Sequence, residues 1–170
     1  MKTIIREYNI FSFDELSQEA KDKARIKFNE EGDMPFLQDD LREYIHEELT
    51  ARGYTHEGIT PLYDLSSCQG SGLMFEGSVT DKQGNTYTMK QRGLYYHERS
   101  ADISATDKDG EELTAEEVKK WEDEVYVPIC KTVRDRGYNE IDYNESEECF
   151  AETCEANEYT FLADGTMFNE

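Results

Sequence analysis

The sequence predicts an α+β fold: an antiparallel sheet of about four strands with helices packed on one face, in a single domain spanning residues 1–170. Three observations carry that expectation. Apolar residues recur at helical spacing before residue 53 and again after residue 114. The stretch between, residues 59–106, is rich in short β-type runs separated by turn residues. There is no internal repeat and no linker, so the two kinds of element should share one core, helices against sheet.

Taken in order, Lys2 to Ile10 reads as a first strand. Ser12 and Glu15 fit a capping box, and Ser17 opens a second start. A helix follows from Gln18 to Glu31, with Ala20, Ala24 and Phe28 on its apolar line and Gly32 as its stop. A second helix runs from about Pro35 to Arg52; Leu37, Leu41, Tyr44, Ile45 and Leu49 make its buried face, and Gly53 ends it. Ile59–Leu65, Leu73–Thr80 and Thr86–Tyr96 read as antiparallel strands, the last two joined by a hairpin at Asp81-Lys-Gln-Gly-Asn85. Ile103–Thr106 is a fourth short strand, closed by a turn at Asp109-Gly110. Thr114 and Glu117 form another capping box and open the longest helix, to about Arg136, with Val118, Trp121, Val125, Ile129 and Val133 inward. Gly137 should stop it, and Pro128 should kink or split it. A last helix is expected near Asn144–Ala156, ahead of Tyr159-Thr-Phe-Leu162 and a turn at Asp164-Gly165.

Only 36% of residues are hydrophobic, yet eleven Tyr, eight Phe and one Trp can supply a packed core. No stretch approaches the roughly 20 apolar residues of a membrane span. The N-terminus lacks the long apolar region of a signal peptide, so a cytoplasmic setting is expected. The formal net charge is −21, from 39 acids against 18 Lys and Arg. That excludes free DNA, free RNA and anionic membranes as partners, because binding them needs cations that displace counterions. Basic proteins or metal cations remain. Cys68, Cys130, Cys149 and Cys154 show no metal-binding spacing and read as free, mostly buried thiols.

The acids are not evenly spread. Residues 138–170, an acidic, partly helical segment, hold ten carboxylates and no Lys or Arg. Glu145, Glu148, Glu152 and Glu155 fall at i, i+3, i+7 and i+10 of the last helix, a stripe about 15 Å long. Like charges at those spacings cost a few tenths of a kcal/mol per pair. Carboxylates one turn apart also approximate the spacing of successive phosphates. Asp40, Glu43 and Glu47 form a shorter stripe on the second helix. Tyr143 and Tyr159 flank the acidic helix and suit the centre of an interface. The stripe therefore reads either as a phosphate mimic for a basic groove or as a solvated face.

Other constellations are weaker. Gln69-Gly-Ser-Gly72 lacks the Gly-Lys-Ser/Thr of a phosphate loop and reads as a turn in which Gly70 and Gly72 let backbones approach. Asp107-Lys-Asp-Gly110 with Glu116 brushes the EF-hand pattern, but Ala105 stands where the first ligand belongs. His46, His56 and His97 lie far apart in sequence; Tyr96, His97 and Glu98 are the one small polar cluster. No metal and no cofactor are expected.

Three segments resemble a family of small phage and prophage proteins. Phe11-Ser-Phe-Asp-Glu-Leu-Ser17 with Ala20-Lys21 and Lys23-Ala24 is similar to its opening. Cys68-Gln-Gly-Ser-Gly72 with Phe75 and Gly77 is similar to its middle, with Ser71 in place of the usual Asp. Ala156-Asn-Glu-Tyr159 to Asp164-Gly165 is similar to its ending. Members carry labels such as antitoxin-like or morphogenetic protein. The resemblance implies a phage origin and a host-cytoplasm setting. With the acidic stripe, it leads to the expectation of a non-enzymatic, phage-encoded anti-defence inhibitor. Its target would be a basic host protein such as a restriction or CRISPR nuclease. The alternatives are an antitoxin-like neutraliser of a basic toxin, a phage assembly protein, or an enzyme centred on Tyr96, His97 and Glu98 or the glycine-rich turn.

Overall fold

Helix starts sit where capping chemistry puts them. The Glu15 carboxylate accepts from the Ser12 N–H at 2.9 Å and anchors a single 3-10 turn, Phe13–Glu15. Ser17 then accepts from the Ala20 N–H and opens α1, Gln18–Glu31. Thr114 and Glu117 exchange hydrogen bonds in a complete capping box at the start of α3, Ala115–Trp121. These are features of a computed structural model that describes residues 4, 6–32, 34 and 36–168. The chain falls into two compact units, residues 1–34 with 140–170, and residues 35–139. The fold is α+β, with a four-stranded antiparallel sheet and helices packed against it.

The larger unit holds α2, Leu37–Ala51, and the strands β1, Thr55–Asp64, β2, Gly72–Thr80, β3, Thr86–Gln91, and β4, Ala101–Thr106. They form a meander in the order β1-β2-β3-β4. Alternation gives the sheet two unlike faces. Phe75, Val79, Tyr87, Met89 and Ala105 are buried on one. There Trp121 stacks on Tyr87 with centroids 4.2 Å apart, and Tyr126 lies 4.7 Å from Phe75. The other face carries hydroxyl pairs, Ser78–Thr88 at 3.1 Å and Thr80–Thr86 at 3.0 Å. Leu37, Leu41, Ile45 and Leu49 of α2 are buried as their spacing predicts, and α2 packs against β1.

The third strand is shorter than expected. Pairing of β2 with β3 ends at Gly77 opposite Met89. The next inward backbone groups are taken by a side chain: the Tyr126 hydroxyl accepts from the Phe75 N–H at 3.1 Å and donates to its C=O at 2.9 Å. Beyond Arg92, whose N–H still donates to Ser100 O, residues 93–96 leave the sheet, with Gly93 in the left-handed region and Leu94 exposed.

Tyr126 reaches that position through a distortion that Pro128 explains. After α3 the chain makes a π-helical turn, Glu122–Tyr126, and continues as α4, Val127–Asn144. Pro128 has no N–H to donate into the preceding turn, so the irregularity falls just before it. Gly137 does not stop this helix. It is an interior, buried position where a Cβ would lie 2.8 Å from Leu65 Cδ1 and 2.9 Å from Leu41 Cδ2. Packing, not termination, is its role.

The smaller unit is built around Phe13, Leu16, Ala20, Ala24, Phe150, Cys154 and Phe161. Phe13 meets Phe150 edge-on at 5.0 Å, and Phe28 lies 4.9 Å from Phe150. The expected strand over Lys2–Ile10 does not form among its described residues; Ile4, Tyr8 and Ile10 are exposed. Instead Phe11 makes one bridge to Phe161, with both hydrogen bonds at 2.9 Å. Lys2, Thr3, Ile5 and Pro35, which the sequence reading also used, lie outside the described residues.

Candidate binding groove

The last helix, α5, spans Glu147–Ala156, later than its acidic pattern suggests. Ser146 is the N-cap, its Oγ accepting from the Cys149 N–H at 3.2 Å. Glu145 is thus not a member of the helical stripe. It lies in the turn after α4, where its carbonyl accepts from Arg25 Nη1 at 2.9 Å and Asn29 Nδ2 at 3.2 Å. Glu148, Glu152 and Glu155 remain on one side of α5, exposed, while Phe150 and Cys154 are buried on the other. With Asp14 and Glu158 they line a groove of about 580 Å³, alongside Phe13, Ala151, Cys154 and Tyr159. The result is a concave acidic wall over an apolar lining.

Local electrostatics does not account for these acids equally. Glu147 and Glu148 sit in the first turn, where the helix dipole favours negative charge. Glu155 and Glu158 sit at the opposite end, where it does not. Among the described residues, Glu148, Glu155 and Glu158 form no ion pair, and Glu152 is held only by the Tyr143 hydroxyl, donating at 3.1 Å. That bond pushes the Tyr143 phenol up from its ordinary value. Glu158 also adopts φ 55°, a left-handed conformation that costs a residue with a Cβ roughly 1–2 kcal/mol. Its N–H donates to the Glu155 carbonyl, and the Tyr159 N–H donates to that of Cys154, so this residue closes the helix. Tyr159 is half-buried against the aromatic core, and Tyr143 is exposed.

The acids of α2 are placed differently. Glu43 and Glu47 are exposed and Asp40 is half-buried. Glu47 pairs with Arg136 at 2.7 Å, and that guanidinium lies 3.4 Å over the Tyr44 ring. Asp39 pairs with Arg42 at 2.7 Å, and Glu48 with Arg52. This stripe belongs to the larger unit; Glu47 and its neighbours Asp39 and Glu48 carry cations, while Asp40 and Glu43 form no ion pair among the described residues.

Comparison with family models, characterised proteins and solved structures returned no match. Function must therefore be argued from the site.

Elsewhere, the glycine-rich turn is explained by packing at Gly72. A Cβ there would lie 2.9 Å from both His97 Nδ1 and the Tyr96 carbonyl. Gly70 has no comparably close neighbour, its nearest being Cys68 Sγ at 3.7 Å. Glu98 lies 4.0 Å from Lys131. The Asp107 carboxylate accepts from the Asp109 and Glu111 N–H groups at 2.9 Å each, closing a turn, and among the described residues no group of three or more His, Cys, Asp or Glu could hold a metal. Two features escaped the sequence reading. His46 and His56 stack at 4.4 Å, brought together by α2 and β1. Cys68 is an exposed thiol whose ionisation is eased by hydrogen bonds from Ser66, Ser71 and Gly70. Cys130 is buried, which pushes its thiol far up. Burial likewise pushes Cys154 up, to about 11.

Proposed function

We propose that this protein is a non-enzymatic binding protein whose α5 groove receives an Arg- or Lys-bearing segment of a basic partner. The partner we favour is a nucleic-acid-binding host protein, with the carboxylates of Glu148, Glu152 and Glu155 standing in for phosphates. One observation carries the reading: acids along α5 with no cation of their own among the described residues, Glu155 and Glu158 at its unfavourable end, converge on a concave surface with an apolar lining. Such a surface desolvates the aliphatic stem of an arginine or lysine while its head group meets carboxylates. The net charge of −21 draws basic surfaces in from a distance. The likeness of three segments to small phage and prophage proteins supports a host-cytoplasm setting and an anti-defence role. The groove's concavity favours a single basic segment over a flat nucleic-acid channel, and so also supports an antitoxin-like neutraliser of a basic toxin.

Capture from bacterial lysate at low and high salt tests this reading. It is supported if one basic nucleic-acid-binding protein is retained, is competed off by duplex DNA, and is lost on Glu148→Lys/Glu152→Lys. Capture that survives the charge reversal would overturn it.

A further inference from the structure

A different surface, in the larger unit, has its own unfilled valences. β4 is an edge strand, with β3 its one neighbour in the four-stranded sheet. The Arg92 N–H donates to Ser100 O at 2.7 Å and the Leu113 N–H to Ala105 O at 3.0 Å, which fixes the alternation along the strand. Ser100, Asp102 and Ser104 turn their backbone groups toward β3; Ala101, Ile103 and Ala105 turn theirs outward. Glu111–Leu113 already covers the Ala105–Asp107 end of that edge. The outward N–H and C=O of Ala101 and Ile103 have no partner among the described residues. Beside them runs a groove of about 670 Å³ between β4 and α3, where Ile103, Leu113 and Val118 meet a charged rim that includes Arg92, Lys119 and Glu122.

We propose that this edge takes up an extended peptide segment of a partner protein as an antiparallel fifth strand, reading aliphatic residues at alternate positions with a lysine or arginine between them. Peptide residues opposite Ala101 and Ile103 exchange both backbone bonds with them and project into the groove toward Val118. The intervening residue projects to the opposite face, opposite Asp102, whose present partner is the exposed Arg92 at 3.6 Å. A cation there is favoured by that carboxylate and by the charge of the whole molecule. A second copy of the chain is disfavoured, because pairing Ala101 with Ile103 of another β4 sets Asp102 directly against Asp102. The inference does not depend on the α5 groove; strand addition supplies main-chain affinity that charge alone does not.

The test is titration of a fluorescein-labelled nonapeptide of alternating valine and lysine into the full chain, with three comparison peptides. Methylating the valine amides removes the donors to Ala101 and Ile103 and should weaken binding about tenfold or more, a difference of about 1.4 kcal/mol. Methylating the lysine amides, with charge identical, should change it by less than about threefold. Replacing only the lysine opposite Asp102 with glutamate should weaken binding about tenfold, and Asp102→Lys should recover that loss. Ile103→Pro removes an outward donor while sparing the ladder to β3, and should mimic valine methylation. Equal weakening by both methylated peptides, or no weakening by either, would overturn the proposal. So would concentration-dependent dimerisation that protects the Ala101 and Ile103 amides from exchange.

Discussion

On α2, Glu47 of the predicted stripe faces Arg136, and the adjacent Asp39 and Glu48 face Arg42 and Arg52, while Asp40 and Glu43 form no ion pair among the described residues. On α5, Glu148 and Glu155 face none among the described residues, and Glu152 has only a tyrosine hydroxyl. Both helices bury an apolar side and expose an acidic one, and in sequence the two stripes look alike. The difference lies in what each helix packs near. An acid with a fixed cation is part of the surface's own electrostatic balance, and such exposed pairs contribute about 0–1 kcal/mol. An acid without one, at a helix end that disfavours it, has repulsion left over for a partner to relieve. Net charge is thus a poor guide to function until each acid is assigned its neighbour.

The comparison can be broken most forcefully from beneath α5. Phe150 is 1% exposed and touches Phe13 and Phe28. Phe150→Ala should destabilise the fold by about 3–5 kcal/mol in a denaturant titration, and release the groove wall with it. Glu158→Gly should act in the opposite sense. Relief of the left-handed strain predicts about 1 kcal/mol of added thermal stability together with weaker partner binding. Stability and binding moving together would argue that Glu158 serves the helix end alone. On α2, Arg136→Ala removes both the Glu47 pair and the stacked guanidinium on Tyr44, and should cost about 1 kcal/mol. Partner binding should stay unchanged.

The smallest expected effect concerns pH. Burial, then the neighbouring His56, lowers the His46 pKa. The unfolded chain therefore binds the proton more readily, so stability should fall as pH drops through the ordinary histidine range near 6.5. His46→Gln should flatten that part of the melting-temperature profile.

The starts of α1 and α3 were the most legible part of the sequence, because Ser17, Thr114 and Glu117 act within one turn of their own position. The meander was legible too, its hairpin chemistry being local. What failed was non-local. Gly137 looks like a stop until Leu41 and Leu65 are brought against it. Thr86–Tyr96 looks like one strand until Tyr126 takes the bonds of Phe75. The stacked histidines come from different elements, and nothing in their spacing announces the contact. At the groove, spacing placed Glu148, Glu152 and Glu155 together but overreached by including Glu145, because the Ser146 cap, one residue later, sets where α5 begins. Asp14 was missed because only tertiary packing brings it to the same concavity, and Glu158 because nothing in its residue type announces the left-handed φ that closes α5.

The most direct measurement compares two charge reversals in one lysate capture, with retained partner quantified at matched salt. Glu148→Lys/Glu152→Lys/Glu155→Lys should lower capture by about tenfold or more, as expected for close charge pairs in a binding site. Glu43→Lys/Glu47→Lys should change it by less than about twofold. Equal losses would show that overall charge governs binding, and an intact signal in the α5 variant would show that the groove has no part in it.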